Sequence, residues 1–315
     1  MHGVLVVDKP RGVSSAACVD KVRKAVGAAR AGHGGTLDPL ATGVLAVCLG
    51  AATKLAGYLL ADDKAYEAEG RLGVETDTLD RTGTVTVTRE VAVTREQMLA
   101  AIATRTGEQQ QVPPMYSALK QGGERLYDLA RAGLEVTRAP RRIRIDRLEL
   151  LRFDPPHFAL AIECTKGTYV RSLVADLGTD VGCGAHLTEL RRTRSGRFTL
   201  DRSITLAAVL AGADITHALV PMRESVMLPE VIVRSDQITS IRSGVQLPVD
   251  RMGAENLERF QFVDEAGNML AVAHTLEGKV IYDRVFPEMF VADASSTNVE
   301  RAASPKAMRR VDDEP

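Results

Sequence analysis

The stretch Gly32-His33-Gly34-Gly35-Thr36-Leu37-Asp38-Pro39-Leu40-Ala41-Thr42-Gly43 sets one carboxylate in a stiff, glycine-flanked loop. An apolar run over residues 44–49 follows at once and reads as a buried strand whose rigidity holds the loop. Pro39 locks its own φ and pushes Asp38 toward extended geometry, while the nearby glycines let backbone or ligand approach closely. Asp-Pro and Gly-Gly are also ordinary turn formers. It is the order of the whole run that marks Asp38 as placed for chemistry.

Upstream, residues 4–7 read as a first strand, and Ser14 or Ser15 then caps a helix with Val19, Val22 and Val26 at helical spacing, ending near Gly27. Downstream, over residues 64–72, Tyr66, Ala68 and Leu72 alternate with Glu67, Glu69 and Arg71. That is a half-buried strand with Tyr66 pointing inward. Helices at about 95–105 and 124–132, strands at about 142–152 and 158–165, and a helix carrying Leu173, Val174, Leu177 and Val181 complete a mixed α+β pattern without βαβ repetition. From Met227 the texture changes to short alternating strands at 231–234, 246–249, 260–263, 269–274 and 280–285. Gly267-Asn268 and Glu277-Gly278 punctuate them as hairpin turns, which predicts a small β-barrel. Residues 293–315 are rich in Ala, Ser and charge without apolar periodicity and read as a flexible tail.

With 315 residues, 45% of them hydrophobic, the chain can bury one large core or two modest ones. No apolar run of membrane length and no secretory leader is recognised, so a cytoplasmic location is expected. Cys18, Cys48, Cys164 and Cys183 are scattered without metal-ligand spacing and read as reduced core thiols. Asp77 and Asp80 lack the alternating oxygen ligands of a calcium loop, so no metal is expected. A net charge of −1 does not advertise a nucleic-acid binder. Charge distribution does more: Arg138, Arg141, Arg142, Arg144, Arg147 and Arg152 crowd residues 138–152, and Arg191, Arg192, Arg194, Arg197 and Arg202 crowd 189–202. Both clusters are candidates for a phosphate track, and equally for solvated faces.

Further landmarks run collinearly with the opening stretch: Lys9-Pro10-Arg11-Gly12-Val13-Ser14-Ser15, Lys64-Ala65-Tyr66-Glu67 and Thr76-Asp77-Thr78-Leu79-Asp80-Arg81-Thr82-Gly83. Pro113-Pro114-Met115-Tyr116-Ser117-Ala118-Leu119-Lys120, Gly167-Thr168-Tyr169-Val170-Arg171 and Gly182-Cys183-Gly184-Ala185-His186-Leu187 continue the series. With them the chain resembles the TruB-type tRNA pseudouridine synthases. The resemblance implies a catalytic domain over 1–226, α+β, built on a mixed, largely antiparallel sheet with flanking helices. It also implies an RNA-gripping insertion at about 113–140 and an RNA-binding barrel of PUA type over 227–292.

The activity so implied is isomerisation of the T-loop uridine of tRNA to pseudouridine, which needs no cofactor. The resemblance places the central role on Asp38, as a nucleophile toward sugar carbon or base, or as a base assisting glycal formation. An ionised carboxylate in a dry site needs a fixed cation, and the candidate is Arg171 at the start of its helix. Tyr66 is the residue expected to stack on the flipped uracil, His33 to meet the opened T-loop, and Leu190 to wall the base from below. Lys9 and Lys120 are candidate phosphate contacts, with Tyr116 and Arg125 inside the gripping insertion. The expected partner is the tRNA T-arm; no membrane and no obligatory protein partner is expected, and the chain is taken as a monomer. Two rivals are weighed. A hydrolase would need a Gly-x-Ser-x-Gly elbow, which the sequence lacks. A non-catalytic RNA-binding or tRNA-folding protein would share the basic clusters and the barrel, but needs no ionised carboxylate in its pocket.

Overall fold

The computed structural model describes residues 1–289, apart from 118, 127–128, 130–133 and 135, and gives only backbone at 120, 121 and 125. Strand β1 (Gly3–Lys9), helix α1 (Ser15–Ala25) and strands β2 (Ala31–His33) and β3 (Thr42–Leu49) bracket the Asp38 loop. Helix α2 (Ala56–Leu60) leads to β4 (Lys64–Leu72), the hairpin β5 (Val74–Thr76) and β6 (Val85–Thr88), and helix α3 (Arg95–Thr104). After β7 (Gly107–Gln111), the short hairpin β8 (Lys120–Gln121) and β9 (Glu124–Arg125) precedes the long pair β10 (Arg141–Asp154) and β11 (His157–Cys164). Helix α4 (Val170–Asp180) and strand β12 (Ala185–Ser195) follow. Then come β13 (Phe198–Thr199), β14 (Ile204–Thr205), helix α5 (Leu206–Leu210), β15 (Leu219–Val220) and helix α6 (Met222–Ser225).

Among the described residues, eleven strands make one sheet along the path β14-β1-β3-β12-β4-β11-β10-β7, with β2, β13 and β15 attached at its side. Its parallel pairs are β1 with β14 and β3 with β12, so the sheet is mixed and largely antiparallel. Both faces are covered. On one, Val19 and Val22 of α1 and Leu173, Val174 and Leu177 of α4 pack on Leu45, Ala68, Leu160 and Ile162. The Ser14 hydroxyl caps α1, accepting from the Ala17 N–H at 3.2 Å. On β4 the Phe158 ring lies where a side chain on Gly70 would stand, 2.3 Å from its would-be Cβ, which explains a glycine inside a strand. On the other face Val4, Val6, Val44 and Ala46 pack against Leu55, Leu59 and Phe198.

The C-terminal part comprises β16 (Glu230–Val233), helix α7 (Ser235–Arg242), helix α8 (Val249–Met252), β17 (Arg259–Asp264), β18 (Met269–Leu276) and β19 (Lys279–Val285). Its strands form an open four-stranded sheet in that order, not the closed barrel expected from the alternation. Residues 246–248 are no strand: Pro248, which has no N–H for a ladder, makes a single bridge to Lys279 and then starts α8. The Glu277-Gly278 turn is as expected, both residues taking positive φ. Met269, Val272 and Phe286 carry this sheet onto the rear face of the main one. Arg30 and Lys54 hold Glu288 across that junction at 2.9 and 3.2 Å.

The expected helix at 124–132 begins as strand β9, and most of its remainder lies outside the described residues, as does the tail over 293–315. The largest departure from the sequence reading is β12, central to the sheet, where the arginine-rich run gives no strand signal.

Candidate functional site

The Asp38 loop is held from behind at four points. The Ser15 hydroxyl accepts the Leu37 N–H and donates to the Leu37 carbonyl, both at 2.8 Å. The Gly12 N–H donates to the Pro39 carbonyl at 2.8 Å, and the Ala41 N–H closes a turn on the Asp38 carbonyl at 3.1 Å. The fourth point is Arg192 on β12. Its guanidinium donates to the carbonyls of Val44 (2.8 Å), Gly35 (3.1 Å) and Thr36 (3.2 Å) while the residue is only 2% exposed. Among the described residues it forms no ion pair. Burying a guanidinium costs several kcal/mol. Three charge-assisted bonds of about 1.5–3 kcal/mol each offset that cost, and a single one would not. Gly43 belongs to the same lock: with φ of 100°, its backbone lies so close to Arg192 that a Cβ would come 2.2 Å from the Arg192 carbonyl oxygen.

In front of the loop stands Arg171, in the first turn of α4 and 5% exposed. Its Nη2 lies 2.9 Å from the Asp38 carboxylate, so the ion pair expected from sequence is present. The same guanidinium donates to the carbonyls of Thr78 (3.0 Å) and Tyr116 (2.7 Å) and approaches the buried Asp80 carboxylate at 3.7 Å. Three separate segments thus meet on one cation. A cation at a helix N-terminus opposes the macrodipole by about 0.3–1 kcal/mol. The direct contact with the Asp38 carboxylate and the two carbonyl bonds outweigh that opposition. The helix start is itself fixed: the buried Gln111 side chain accepts the Tyr169 N–H at 2.8 Å and donates to the Tyr169 carbonyl at 3.1 Å. The Asp38 side chain is 41% exposed, so this carboxylate is open to water rather than dry.

Tyr66 packs on the main core from β4, facing the site as the alternation requires. On the neighbouring strand Arg192 is paired with Tyr66 and Leu190 with Ala68, which puts all four side chains on one face. Burial pushes the Tyr66 hydroxyl pKa up; the Arg192 charge opposes that rise and Asp38 adds to it. His33 has its pKa lowered, by burial first and then by Arg192, which keeps the imidazole neutral. Its buried Nδ1 has no hydrogen-bond partner among the described residues. Leu190 is buried beside Ala68.

Other expectations are corrected. Lys9 is no phosphate contact: it is fully buried, and its ammonium donates to the carbonyls of Pro10 (2.9 Å) and Val13 (2.7 Å), shaping the turn from which Gly12 reaches Pro39. Burial draws its pKa down to about 8, and the same holds for Lys64, whose ammonium is wrapped by the carbonyls of Leu60 and Asp62. Four arginines of the basic run over 138–152 are matched by carboxylates, Arg142 by Glu108, Arg144 by Asp146, Arg147 by Glu149 and Glu163, and Arg152 by Glu69. The second cluster likewise holds Arg191 to Asp8 and Arg194 to Glu163. Tyr116 meets Arg171 through its backbone carbonyl, and the Lys120 and Arg125 side chains lie outside the described residues. Burial pushes the thiols of Cys18 and Cys164 up to about 11 and of Cys48 to about 12, which keeps them protonated and poor nucleophiles. Among the described residues no group of His, Cys, Asp or Glu is arranged to hold a metal ion, and no helix is long and apolar enough to cross a membrane.

Sequence reasoning missed Arg192, Asp80, Ser15 and Gln111 as parts of this site. Asp80 had a signal, its glycine-terminated turn. Gln111 had none.

An ion-paired carboxylate, a buried guanidinium and an inward tyrosine thus stand together on a mixed sheet. Comparison with known proteins gives the family. The model for the N-terminal domain of TruB family pseudouridylate synthases matches residues 23–170, and that for the C-terminal domain of tRNA pseudouridylate synthase B matches 171–229. The tRNA pseudouridine synthase B of Aromatoleum aromaticum is 54% identical over 211 residues, covering 67% of this chain and 68% of that protein. The one from Thiobacillus denitrificans is 43% identical over 290 residues, 90% of this chain and 96% of that protein. A chain in the crystal structure of a Cbf5-Nop10-Gar1 complex superimposes with a TM-score of 0.72 at 26% identity, covering 91% of this chain and 86% of the other. The chain belongs to the TruB family of tRNA pseudouridine synthases.

Proposed function

We propose that this chain converts the T-loop uridine of tRNA, position 55, to pseudouridine on a base flipped out of its loop. The observation that carries the reading is the 2.9 Å pair of Asp38 and Arg171, with Asp38 near enough to Tyr66 for its charge to act on the Tyr66 hydroxyl. The reaction breaks the bond from N1 to C1′, turns the uracil, joins C5 to C1′ and releases the C5 proton. Asp38 supplies the charge for cleavage, as a nucleophile or as a base, and Arg171 holds its carboxylate in place. Stacking on Tyr66 returns about 1–3 kcal/mol against an unstacking cost of a few kcal/mol. Because Asp38 is open to solvent, the flipped base itself completes the exclusion of water. In this reading residues 1–226 carry catalysis, about 113–140 grip RNA, and 227–292 form an RNA-binding module built on the open sheet. The protein works as a cytoplasmic monomer with the T-arm as its partner.

Proton release from C5-labelled uridine in a T-arm transcript tests this. Asp38→Asn is expected to lower release by at least about 10³-fold while tRNA binding stays within a few-fold. Normal release by Asp38→Asn would refute the assignment, and binding without release by the unaltered protein would favour the non-catalytic RNA-folding reading.

A further inference from the structure

We infer that Arg192 is a positioning residue for the reaction, its guanidinium holding the Asp38 loop and the Tyr66 strand in one register. This rests on the function proposed above. The guanidinium is spread over three carbonyls, two of which, Gly35 and Thr36, stand just before Asp38, while the third, Val44, opens the strand behind it. The residue pairs across the sheet with Gly43 on one side and Tyr66 on the other. Arg192 therefore connects the carboxylate loop and the tyrosine that flank the base, without reaching the base. Its charge is felt by Lys9, His33, Lys64 and Tyr66, in each case after the larger effect of burial.

The geometry separates this role from plain support. A purely structural arginine would, when replaced, lower the amount of folded protein and leave each folded molecule working at its normal rate. A positioning arginine sets the rate itself, because a displacement of about 1 Å at a reacting group costs on the order of 10²-fold. Lysine carries the charge but cannot span three carbonyls with the planar fork. Glutamine keeps a donor and loses the charge.

The experiment measures single-turnover C5 proton release per molecule of bound tRNA, with tRNA affinity and thermal midpoint taken in parallel, for Arg192→Lys and Arg192→Gln in the full chain. The expected result is a fall of about 100-fold in rate per bound tRNA for Arg192→Lys, with affinity within about threefold. Arg192→Gln is expected to fall at least as far. Adding ethylguanidinium to Arg192→Ala is expected to restore part of the rate. An unchanged rate per bound tRNA in either folded variant overturns the inference, including the case where yield or affinity alone declines. Failure of both variants to fold assigns Arg192 to the folded state only and overturns it too. Asp38→Asn run alongside separates the two claims: if it turns over normally the proposed function fails, whereas if it is dead and Arg192→Lys is fast, only this inference fails.

Discussion

Strands β10 and β12 are both rich in arginine, and one of those on β12, Arg192, is used in a way that none of the paired arginines of β10 is. On β10 the arginines stand at the surface opposite carboxylates of β4, β7, β11 and β10 itself. On β12 Arg192, without a carboxylate partner among the described residues, goes inside and takes backbone carbonyls instead. A basic run in a sequence thus has no single meaning. Where acidic residues fall in register it becomes a ladder of exposed pairs worth about 0–1 kcal/mol each. Where they do not, an arginine either meets solvent or becomes an internal clamp.

Four measurements press on this contrast between clamped and surface cations. Arg171→Lys, which loses the fork that gathers Asp38, Thr78 and Tyr116, is expected to lower turnover by about 10²-fold, since a displacement of about 1 Å at a reacting group costs on that order. Near-normal release rates would place Arg171 with the surface group. Ser15→Ala leaves the buried Leu37 N–H and carbonyl unsatisfied and is expected to cost about 1–3 kcal/mol in urea denaturation.

The third concerns pH. Lys9 and Lys64 titrate at about 8 in the folded protein, below their value of 10.5 in the unfolded chain. Above about pH 8 the unfolded state therefore holds more protons, and stability rises with pH. Cys18, Cys48 and Cys164 act in the other direction: held protonated to about 11 or 12 when folded, they ionise near 9 when unfolded. The thermal midpoint is expected to climb from about pH 7.5 to about pH 9 and then turn over, with a shallower climb in Lys9→Met. A flat profile would show Lys9 and Lys64 behaving as surface cations. Smallest of all, Arg147→Ala should shift stability by under about 1 kcal/mol, and its coupling to Glu149 in a double-mutant cycle should be as small. A coupling of several kcal/mol would erase the distinction between the strands.

The parts of the molecule that obey simple periodicity were legible. The valines of α1, the alternation of β4 and the apolar run of β3 fold as their spacing dictates. The pairing of Asp38 with Arg171 was legible through the resemblance carried by the glycine-flanked loop and by Gly167-Thr168-Tyr169-Val170-Arg171, where a helix start alone reads as a solvated arginine. Lys9 and Arg192 were not, because charge reads as exposure and only tertiary structure shows carbonyls converging on a cation. The alternation over 246–249 misled for a different reason: Pro248 cannot join a ladder, whatever side chains surround it.

The pairing of Thr42 with Arg191 and of Gly43 with Arg192 joins ends of the chain made far apart in time. A ribosome releases the Asp38 loop long before the segment that fastens it, and in the interval its carbonyls are hydrated. Stalled translation products ending near residue 185 should therefore show no modification of RNA. Activity is expected only in products long enough for β12 to have left the exit tunnel.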